Sequence, residues 1–358
     1  MTRSDRLSRL RLLRSQLSLN HILISDTVDV EYISGFSSSN AMLLVSQRKN
    51  RILTDFRYET DAKRFCDSHP EWVFVPVESS MAEVLARFIT AGASLGFQSD
   101  KMTVDDFSRL KRHIRGVKRV SCARQVNELL LDKEPHEIQS MKKAAQIGDQ
   151  ALEKLLPDIR PGVTEAFLSA RLETRCRELG SEKPSFETIV LFGARSALPH
   201  GRPGNTVLKE GAFILFDFGC TVDGFASDMT RTMVMGSASR KQRMIYSLVK
   251  NAQEAACKGA RAGMRAKAID ALARDIIISA GHGNAFGHAL GHGVGRRIHE
   301  PPRVSGRIPL KLPEDTVITI EPGIYLPGFG GVRIEDMVVL QQGGAQRMTH
   351  FPRELMEL

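Results

Sequence analysis

The chain has 358 residues, of which 42% are hydrophobic and 25% charged, and its formal net charge is +9. This composition excludes collagen-like, disordered and small disulfide-rich classes, and the length allows two domains. No run of about 18 uncharged apolar residues occurs, so we expect no membrane-spanning helix. The positive charge is spread over both halves of the chain, and its densest patch, from Lys111 to Arg119, lacks aromatic residues. We therefore expect no nucleic-acid partner.

Residues 1–20 contain five arginines and no uninterrupted apolar run, so we expect no secretory signal. The leucines of this segment recur at helical spacing and predict an amphipathic first helix, with a transit peptide as the weaker alternative. The five cysteines lie far apart without a Cys-x-x-Cys pair, which argues against a disulfide framework and a thiolate zinc site. A reducing, cytoplasmic location is the expectation.

The first third of the chain alternates short β-rich runs with helical patterns. We predict strands at 20–24, 41–45, 51–54 and 72–77 and helices at 80–91 and 103–114. Thr103, with Asp106 three residues behind it, is a helix N-terminal signal. The alternation indicates a compact α/β domain, and we place the domain boundary after residue 127, giving domains 1–127 and 128–358.

The second part of the chain begins with a long predicted helix that runs to about residue 156. Pro135 suits its first turn, where the missing amide hydrogen would have no partner in any case. A second helix is predicted from Thr164 to about residue 179. Further along, the patterns predict strands at 187–192, 212–218, 229–235, 316–321 and 332–340 and helices at 239–258 and 265–280.

Histidines cluster in a glycine-rich stretch that begins at Gly281. Four of the ten histidines, His282, His288, His292 and His299, fall within eighteen residues. Glycine allows the backbone to approach a ligand closely, and neutral imidazole is a common metal ligand. Any single histidine could be incidental in a surface loop, but the cluster favours a binding site.

Two aspartates flank a predicted hairpin. Asp223-Gly224 between apolar runs is typical of a two-residue turn, which would pair Val222 with Phe225 and Asp217 with Thr230. Asp228 would then lie diagonally opposite Asp217 on one face of the sheet. Two buried carboxylates at one spot are costly unless a cation lies between them. The alternative is that one or both face solvent at the hairpin edge.

Glu321 and Glu335 extend this set. Glu321 ends the strand-like run Val317-Ile-Thr-Ile, and Glu335 lies in an otherwise apolar run toward Leu340. Together with Asp217, Asp228 and His292 they make four carboxylates and one imidazole. Such a set suits Mn²⁺, Co²⁺, Fe²⁺ or Zn²⁺, and bridging carboxylates suit a pair of ions.

These motifs resemble those of the pita-bread metallopeptidases, in the Xaa-Pro aminopeptidase and prolidase branch. Asp217 and Asp228 have the family's eleven-residue spacing, and Glu321 in Ile-Glu-Pro-Gly precedes Glu335 in Arg-Ile-Glu-Asp by fourteen residues. His292 in Gly-His-Gly-x-Gly matches the metal histidine. The motifs around His200, His288 and His299 match the other family histidines, and Tyr32-Ile-Ser-Gly-Phe resembles the family's small domain.

The resemblance implies an α+β fold, a pita-bread catalytic domain preceded by a smaller creatinase/prolidase-type α/β domain, and a homodimer. It implies two divalent ions, foremost Mn²⁺, held by Asp217, Asp228, His292, Glu321 and Glu335. Glu321 would also be the general base, and His288 and His299 would hold the substrate carbonyl and the developing oxyanion. His200 would shape the substrate site. Arg333 would orient the site, with a surface ion pair as the alternative.

The implied substrate is a peptide with proline in second position. We expect an Xaa-Pro aminopeptidase rather than a dipeptidase, because no residue of the sequence must bind a prolyl carboxylate. A methionine aminopeptidase would need little chain before the catalytic domain, and a creatinase-like enzyme dispenses with the metals. A non-catalytic peptide-binding relative would typically have lost ligands, whereas all five are intact here.

Overall fold

The computed structural model describes residues 3–358. Contacts divide the chain into two compact units, one ending at Leu130 and the other spanning Leu131–Leu358. The boundary predicted after residue 127 lies within the last helix of the first unit, Ala123–Leu129. Among the described residues, no helix is both long enough and apolar enough to cross a bilayer.

The first unit contains a six-stranded mixed sheet. Its strands are β1 (His21–Ile24), β2 (Ala41–Ser46), β3 (Asn50–Thr54), β4 (Trp72–Pro76), β5 (Ser94–Phe97) and β6 (Lys118–Ser121). Their order across the sheet is β4-β3-β2-β1-β5-β6. Its helices are α1 (Arg3–Gln16), α2 (Thr27–Ser34), α3 (Glu59–Ser68), α4 (Met81–Ala86), α5 (Val104–His113) and α6 (Ala123–Leu129), with a 3₁₀ turn at Phe56–Tyr58. The four predicted strands and the first helix are thus confirmed.

Helix ends in the first unit follow the predicted capping chemistry. The hydroxyl of Thr103 accepts a hydrogen bond from the backbone N–H of Asp106 and caps α5, as the sequence predicts. The helix predicted at 80–91 is too long, because α4 ends at Ala86. There the chain tightens into i→i+3 hydrogen bonds, with the N–H of Arg87 on the carbonyl of Val84.

The second unit is built from antiparallel strands and two pairs of helices. Its helices are α7 (Pro135–Leu155), α8 (Glu165–Glu178), α9 (Arg240–Gly259) and α10 (Ala266–Ser279), with 3₁₀ turns at Leu156–Asp158, Gly193–Ala197 and Gly283–Ala285. Its strands are β7 (Ile189–Phe192), β8 (Phe213–Phe218), β9 (Thr221–Val222), β10 (Phe225–Ala226), β11 (Met229–Val234), β12 (Gly291–Gly293), β13 (Glu300–Val304), β14 (Val317–Ile320), β15 (Gly323–Leu326), β16 (Gly330–Arg333), β17 (Asp336–Gln341) and β18 (Gly344–Arg347). All four predicted helices are present.

The two largest sheets of this unit have the orders β11-β8-β7 and β13-β12-β14-β17-β18. Helices α7 and α8 share one apolar core with the first sheet, and α9 and α10 share another with strands of the second. Each sheet therefore buries one face under a helix pair. Side chains alternate along β8, so Asp217 lies on the face opposite Phe216 and Phe218, which pack in the core with α7 and α8.

The predicted hairpin register is confirmed. Val222 pairs with Phe225, and Asp217 pairs with Thr230. Asp223 and Gly224 form the turn with positive φ angles of 52° and 75°, the backbone that a tight hairpin requires at both positions.

The single strand predicted over 332–340 is wrong. The run divides into β16 and β17, which belong to different sheets, and Ile334 and Glu335 form the crossing between them. The N–H of Glu335 bonds to the carbonyl of Thr230 on β11, so this crossing is fixed by a third strand. An apolar sequence pattern cannot show where a strand ends and the chain enters a second sheet, because both strands are buried.

Candidate metal centre

A cavity of about 520 Å³ lies within the second unit. Nine residues that the sequence analysis singled out line it, namely His200, Asp217, Asp228, His288, His292, His299, Glu321, Arg333 and Glu335. His282, the remaining histidine of the glycine-rich cluster, does not line the cavity. The volume is in the range of a small-molecule site. Segments more than 100 residues apart in the chain thus converge on one wall.

Strand positions explain how the five candidate ligands meet. Asp217 lies on β8, Asp228 directly precedes β11, and Glu321 directly follows β14. His292 is the middle residue of the short strand β12, between two glycines whose positions leave no room for a Cβ against the neighbouring strands. The glycines therefore let β12 lie deep enough to bring the imidazole to the carboxylates.

The imidazole of His292 lies among three of the carboxylates. Its Nε2 lies 3.5 Å from Oδ2 of Asp228 and 3.5 Å from Oε1 of Glu321. Each of Asp228, His292 and Glu335 offers one possible metal-ligand atom, and these three atoms lie within 4.8 Å of one another. Nδ1 lies 3.1 Å from the carbonyl of Gly293, and because a carbonyl only accepts, Nδ1 carries the hydrogen. Nε2 then presents a lone pair to the carboxylates, as a metal-binding imidazole must.

The carboxylates are buried against one another. Asp228 and Glu335 are 4% and 2% exposed. Burial, reinforced by neighbouring carboxylates, raises the pKa of both groups, and burial raises the pKa of Glu321 to about 8. Oδ1 of Asp228 is buried and has no hydrogen-bond partner among residues 3–358. An oxygen-rich set with one nitrogen and uncompensated negative charge fits divalent cations.

Arg333 forms hydrogen bonds with this group, directly and through Thr230. Its Nη2 lies 2.5 Å from Oδ2 of Asp217, and its Nε donates to the hydroxyl of Thr230 at 3.0 Å. Thr230 in turn donates to Oε2 of Glu335 at 2.6 Å. Arg333 is 3% exposed, which excludes the alternative of a surface ion pair. Burial opposes its charge, but Tyr325 and the surrounding carboxylates raise its pKa above the ordinary value.

Tyr325 connects Arg333 to His288, and sequence reasoning missed it. Its hydroxyl accepts a hydrogen bond from Nη1 of Arg333 at 2.9 Å and lies 3.0 Å from Nε2 of His288. Nδ1 of His288 donates to the carbonyl of Ala289 at 2.8 Å, so in the neutral ring Nε2 accepts from the phenol. Burial, together with Arg333, lowers the pKa of His288 to about 4, which keeps the ring neutral at pH 7.

The remaining two histidines lie at the exposed side of the cavity. The ring of His299 lies edge-on to that of His292, with centroids 4.4 Å apart. Burial lowers the pKa of His299 as well. His200 is exposed, and its side chain makes no hydrogen bond with the residues that the structure describes. The structure therefore holds His299 against the centre and leaves the ring of His200 open to a ligand.

Arg303 is the second residue that the sequence did not reveal. It lines the cavity and pairs with His292 in the β12–β13 register, so both side chains share one face of the sheet. Its guanidinium is exposed and forms no ion pair within residues 3–358. The only sequence signal was the arginine four residues after His299, in a strand that the apolar pattern did not predict.

Known family models match both units. Residues 6–129 match the creatinase/prolidase N-terminal domain, and residues 139–342 match metallopeptidase family M24. The chain belongs to metallopeptidase family M24. The second match covers more than half of the chain and includes all nine predicted site residues, so this M24 chain is a hydrolase. The expected two-domain α+β architecture with a pita-bread catalytic domain is confirmed.

Similar proteins cover nearly the whole of this M24 chain. It is 36% identical over 352 residues to the Xaa-Pro dipeptidase of Pyrococcus furiosus, covering 98% of this chain and 99% of that one. The solved Xaa-Pro dipeptidase of Bacillus anthracis has a TM-score of 0.94 at 35% identity, with full coverage of both chains. The X-Pro aminopeptidase of Thermotoga maritima has a TM-score of 0.87 at 34% identity, covering 98% and 99%.

Proposed function

We propose that the protein is a metal-dependent peptidase that hydrolyses the bond before a proline in second position, with Xaa-Pro dipeptides as its best substrates. The observation that carries the dipeptide preference is Arg303, an uncompensated guanidinium beside His292 on the cavity wall. A prolyl carboxylate is the substrate group that such a cation binds best. Names of relatives such as the dipeptidase of Pyrococcus furiosus support the same reaction.

We propose Asp217, Asp228, His292, Glu321 and Glu335 as the ligands of two divalent ions, with Mn²⁺ ahead of Co²⁺, Zn²⁺ and Fe²⁺. When bound, such a pair supplies a water of lowered pKa and polarises the substrate carbonyl. The buried, mutually repelling carboxylates and the orphaned Oδ1 of Asp228 support this assignment.

Proton transfer is assigned to Glu321. Its carboxylate accepts a proton from the attacking water and returns it to the departing prolyl nitrogen, which has no hydrogen of its own. The hydroxyl of Thr319 donates to Oε1 of Glu321 at 3.2 Å and orients the carboxylate. The ring of His299 is assigned to the carbonyl oxygen and to the oxyanion that replaces it. The expectation that His288 shares this role does not fit the structure, because both nitrogens of its neutral ring are already hydrogen-bonded, to Ala289 and to Tyr325.

The cavity wall offers the proline ring an apolar surface. Phe186, Ile189, Pro199 and Ile298 line the cavity together with the polar groups. A ring bound there would place its carboxylate toward the exposed side, where Arg303 and His200 lie. Apolar enclosure with one cation is the chemistry that a C-terminal proline requires.

An aminopeptidase that accepts longer peptides is the second candidate, and it is the one that the sequence alone favours. The likeness to the X-Pro aminopeptidase of Thermotoga maritima supports it. In that case Arg303 would bind a backbone carbonyl of a longer substrate rather than a terminal carboxylate. We also propose that the protein is a homodimer and that it lies in the cytoplasm. Analytical ultracentrifugation would measure the oligomeric state.

A substrate panel tests the proposal. Mn²⁺-loaded protein is offered Ala-Pro, Ala-Pro-Ala, Ala-Ala and N-acetyl-Ala-Pro, and released alanine is measured. We expect fast cleavage of Ala-Pro, slower cleavage of Ala-Pro-Ala and none of the acetylated peptide. Chelation should abolish the activity, and Mn²⁺ or Co²⁺ should restore it.

Each result of the panel decides one part of the proposal. Equal rates on Ala-Ala and Ala-Pro would remove the proline specificity, and faster cleavage of Ala-Pro-Ala would favour the aminopeptidase. Full activity in protein that elemental analysis shows to be metal-free would exclude the metal centre.

A further inference from the structure

We propose that Glu165 is a positioning residue that holds the segment 193–204 and thereby places His200 at the cavity. The role of His200 toward substrate rests on the proposed function. Glu165 is the first residue of α8 and is fully buried, with 0% exposure. A buried carboxylate needs hydrogen-bond donors, and all those that Glu165 finds belong to this one segment and its first neighbour.

The two carboxylate oxygens bind the two ends of the segment. Oε1 accepts from the N–H of Phe192 at 2.9 Å, and Oε2 accepts from the N–H of Gly204 at 3.0 Å. Nε of Arg195 lies 3.0 Å from Oε1 and 3.1 Å from Oε2. One side chain therefore closes a loop of twelve residues at its start and at its end.

Arg195, which binds Glu165, also binds the backbone of the loop at another point. Its Nη2 donates to the carbonyl of Arg202 at 2.7 Å. Ser196 provides a second tether, because its hydroxyl accepts from the N–H of Gly331 on β16 at 2.8 Å and donates to the carbonyl of Gly193 at 2.6 Å. The loop is thus held by α8 on one side and by β16 on the other.

His200 depends on this backbone closure for its position. The residue is exposed, and its ring makes no hydrogen bond to any residue from 3 to 358. No hydrogen bond of its own fixes the ring, so its place at the cavity follows from where the backbone of the loop runs. Glu165 acts on the ring only through this backbone.

The carboxylate form matters because both of its oxygens accept hydrogen bonds. Glutamine has the same shape but can accept at one side only, since its amide nitrogen is a donor. Glu165→Gln would keep either the Phe192 or the Gly204 bond and lose the other. That end of the loop would then be held by backbone hydrogen bonds alone, in the β7–β8 pairing at Phe192 or from the N–H of Ala166 to the carbonyl of Gly204. A simple helix-capping role for this first-turn acid would predict lost stability without any specific effect on the loop.

Arg195→Gln and Arg171→Gln form a matched pair of further variants. Both arginines form an ion pair with a carboxylate, Arg195 with Glu165 and Arg171 with Asp158, and both side chains are 38% exposed. Arg171 lies on α8 and binds outside the 193–204 loop. Arg195→Gln tests the same closure if Glu165→Gln does not fold, and Arg171→Gln measures the effect of losing a comparable ion pair elsewhere.

Hydrogen–deuterium exchange of the intact protein is the first measurement. We expect amides of the 193–204 segment to exchange at least tenfold faster in Glu165→Gln and faster in Arg195→Gln, with Arg171→Gln unchanged there. This result does not depend on which peptide the enzyme cleaves. A wild-type enzyme that ignores Xaa-Pro peptides would overturn the proposed function alone.

A double-mutant cycle with His200→Ala is the second measurement. We expect Glu165→Gln to lower kcat/KM about tenfold in the wild-type background, the effect of one lost hydrogen bond, and to have little further effect when His200 is already alanine. Arg171→Gln should act additively with His200→Ala. Unchanged exchange in the loop, or equal effects of Glu165→Gln in both backgrounds, would overturn the positioning role.

Discussion

The phenol oxygen of Tyr325 lies 3.0 Å from Nε2 of His288 and bridges this neutral imidazole to the buried guanidinium of Arg333. The phenol accepts a hydrogen bond from Arg333 and donates one to His288, so both hydrogen bonds run in the same direction, from Arg333 to His288. Burial raises the pKa of Tyr325 to about 12, which keeps its proton in place over the physiological range.

Tyr325→Phe should lower peptide hydrolysis about fivefold, because His288 loses its donor and Arg333 keeps only its other partners, an effect of about 1 kcal/mol. Steady-state kinetics on the best Xaa-Pro substrate would measure this. Tyr246→Phe is the control, since Tyr246 is buried and donates to the carbonyl of Arg353 outside the cavity. It should lower stability and leave kcat/KM unchanged. Similar kinetics of the two variants would contradict the role of Tyr325.

The pKa of about 4 for His288 predicts a pH dependence of stability in the metal-free protein. A histidine with a lowered pKa binds fewer protons in the folded chain than in the unfolded chain. Its contribution is therefore full above pH 6.5 and is lost as the pH falls from 6.5 toward 4. At 1.36 kcal/mol per pKa unit, the loss approaches about 3 kcal/mol.

Thermal unfolding of wild type and His288→Asn between pH 4 and pH 8 would isolate this contribution, because asparagine does not titrate. The difference between the two midpoints should change in favour of the variant on acidification. A constant difference over this range would show that the folded-state pKa of His288 is near its ordinary value.

His292→Ala should lower metal affinity and remove most of the activity while the fold survives, because the carboxylates lie on or beside strands with their own core packing. Calorimetric titration with Mn²⁺ and the thermal midpoint with and without Mn²⁺ would measure the effect. Wild type should gain stability as Mn²⁺ rises above its Kd, by about 2.7 kcal/mol at 100-fold excess. His282→Ala, in the same glycine-rich stretch but outside the cavity lining, should retain both properties.

Arg303→Met should reduce kcat/KM for Ala-Pro about 10- to 100-fold, the worth of a charge-assisted hydrogen bond to a carboxylate. The rate on Ala-Pro-amide, which lacks that carboxylate, should change little. Arg307→Met is the control, since Arg307 is exposed in the same part of the chain and does not line the cavity. An equal loss on both substrates would assign Arg303 to a role other than carboxylate binding.

Local sequence signals predicted the parts of the site that local chemistry determines. Asp223-Gly224 predicted the turn and hence the pairing of Asp217 with Thr230, because the turn type sets the register. The motif resemblance brought the five candidate ligands and the three histidines together. Their individual roles remain predictions, since geometry alone does not assign a ligand.

Residues whose importance comes from distant contacts were not predictable in this way. Tyr325 matters because Arg333 and His288 lie on either side of it, and Glu165 because a loop some thirty residues away closes on it. The pattern at 332–340 likewise predicted one strand. The chain changes sheet at Glu335, but apolar residues lie on both sides of this change, so the pattern does not show it. These properties exist only once the sheets are packed.

Glu335 occupies the two-residue crossing between β16 and β17, held by backbone to β11 and by its side chain to Thr230. The backbone that carries this carboxylate is therefore tied to three sheets, those of β16, β17 and β11. The surface segments around the cavity can therefore lengthen, shorten or change sequence during evolution without disturbing it. The same crossing would let a protein engineer rebuild substrate-facing loops other than 193–204 for new peptides while Glu335 keeps its position.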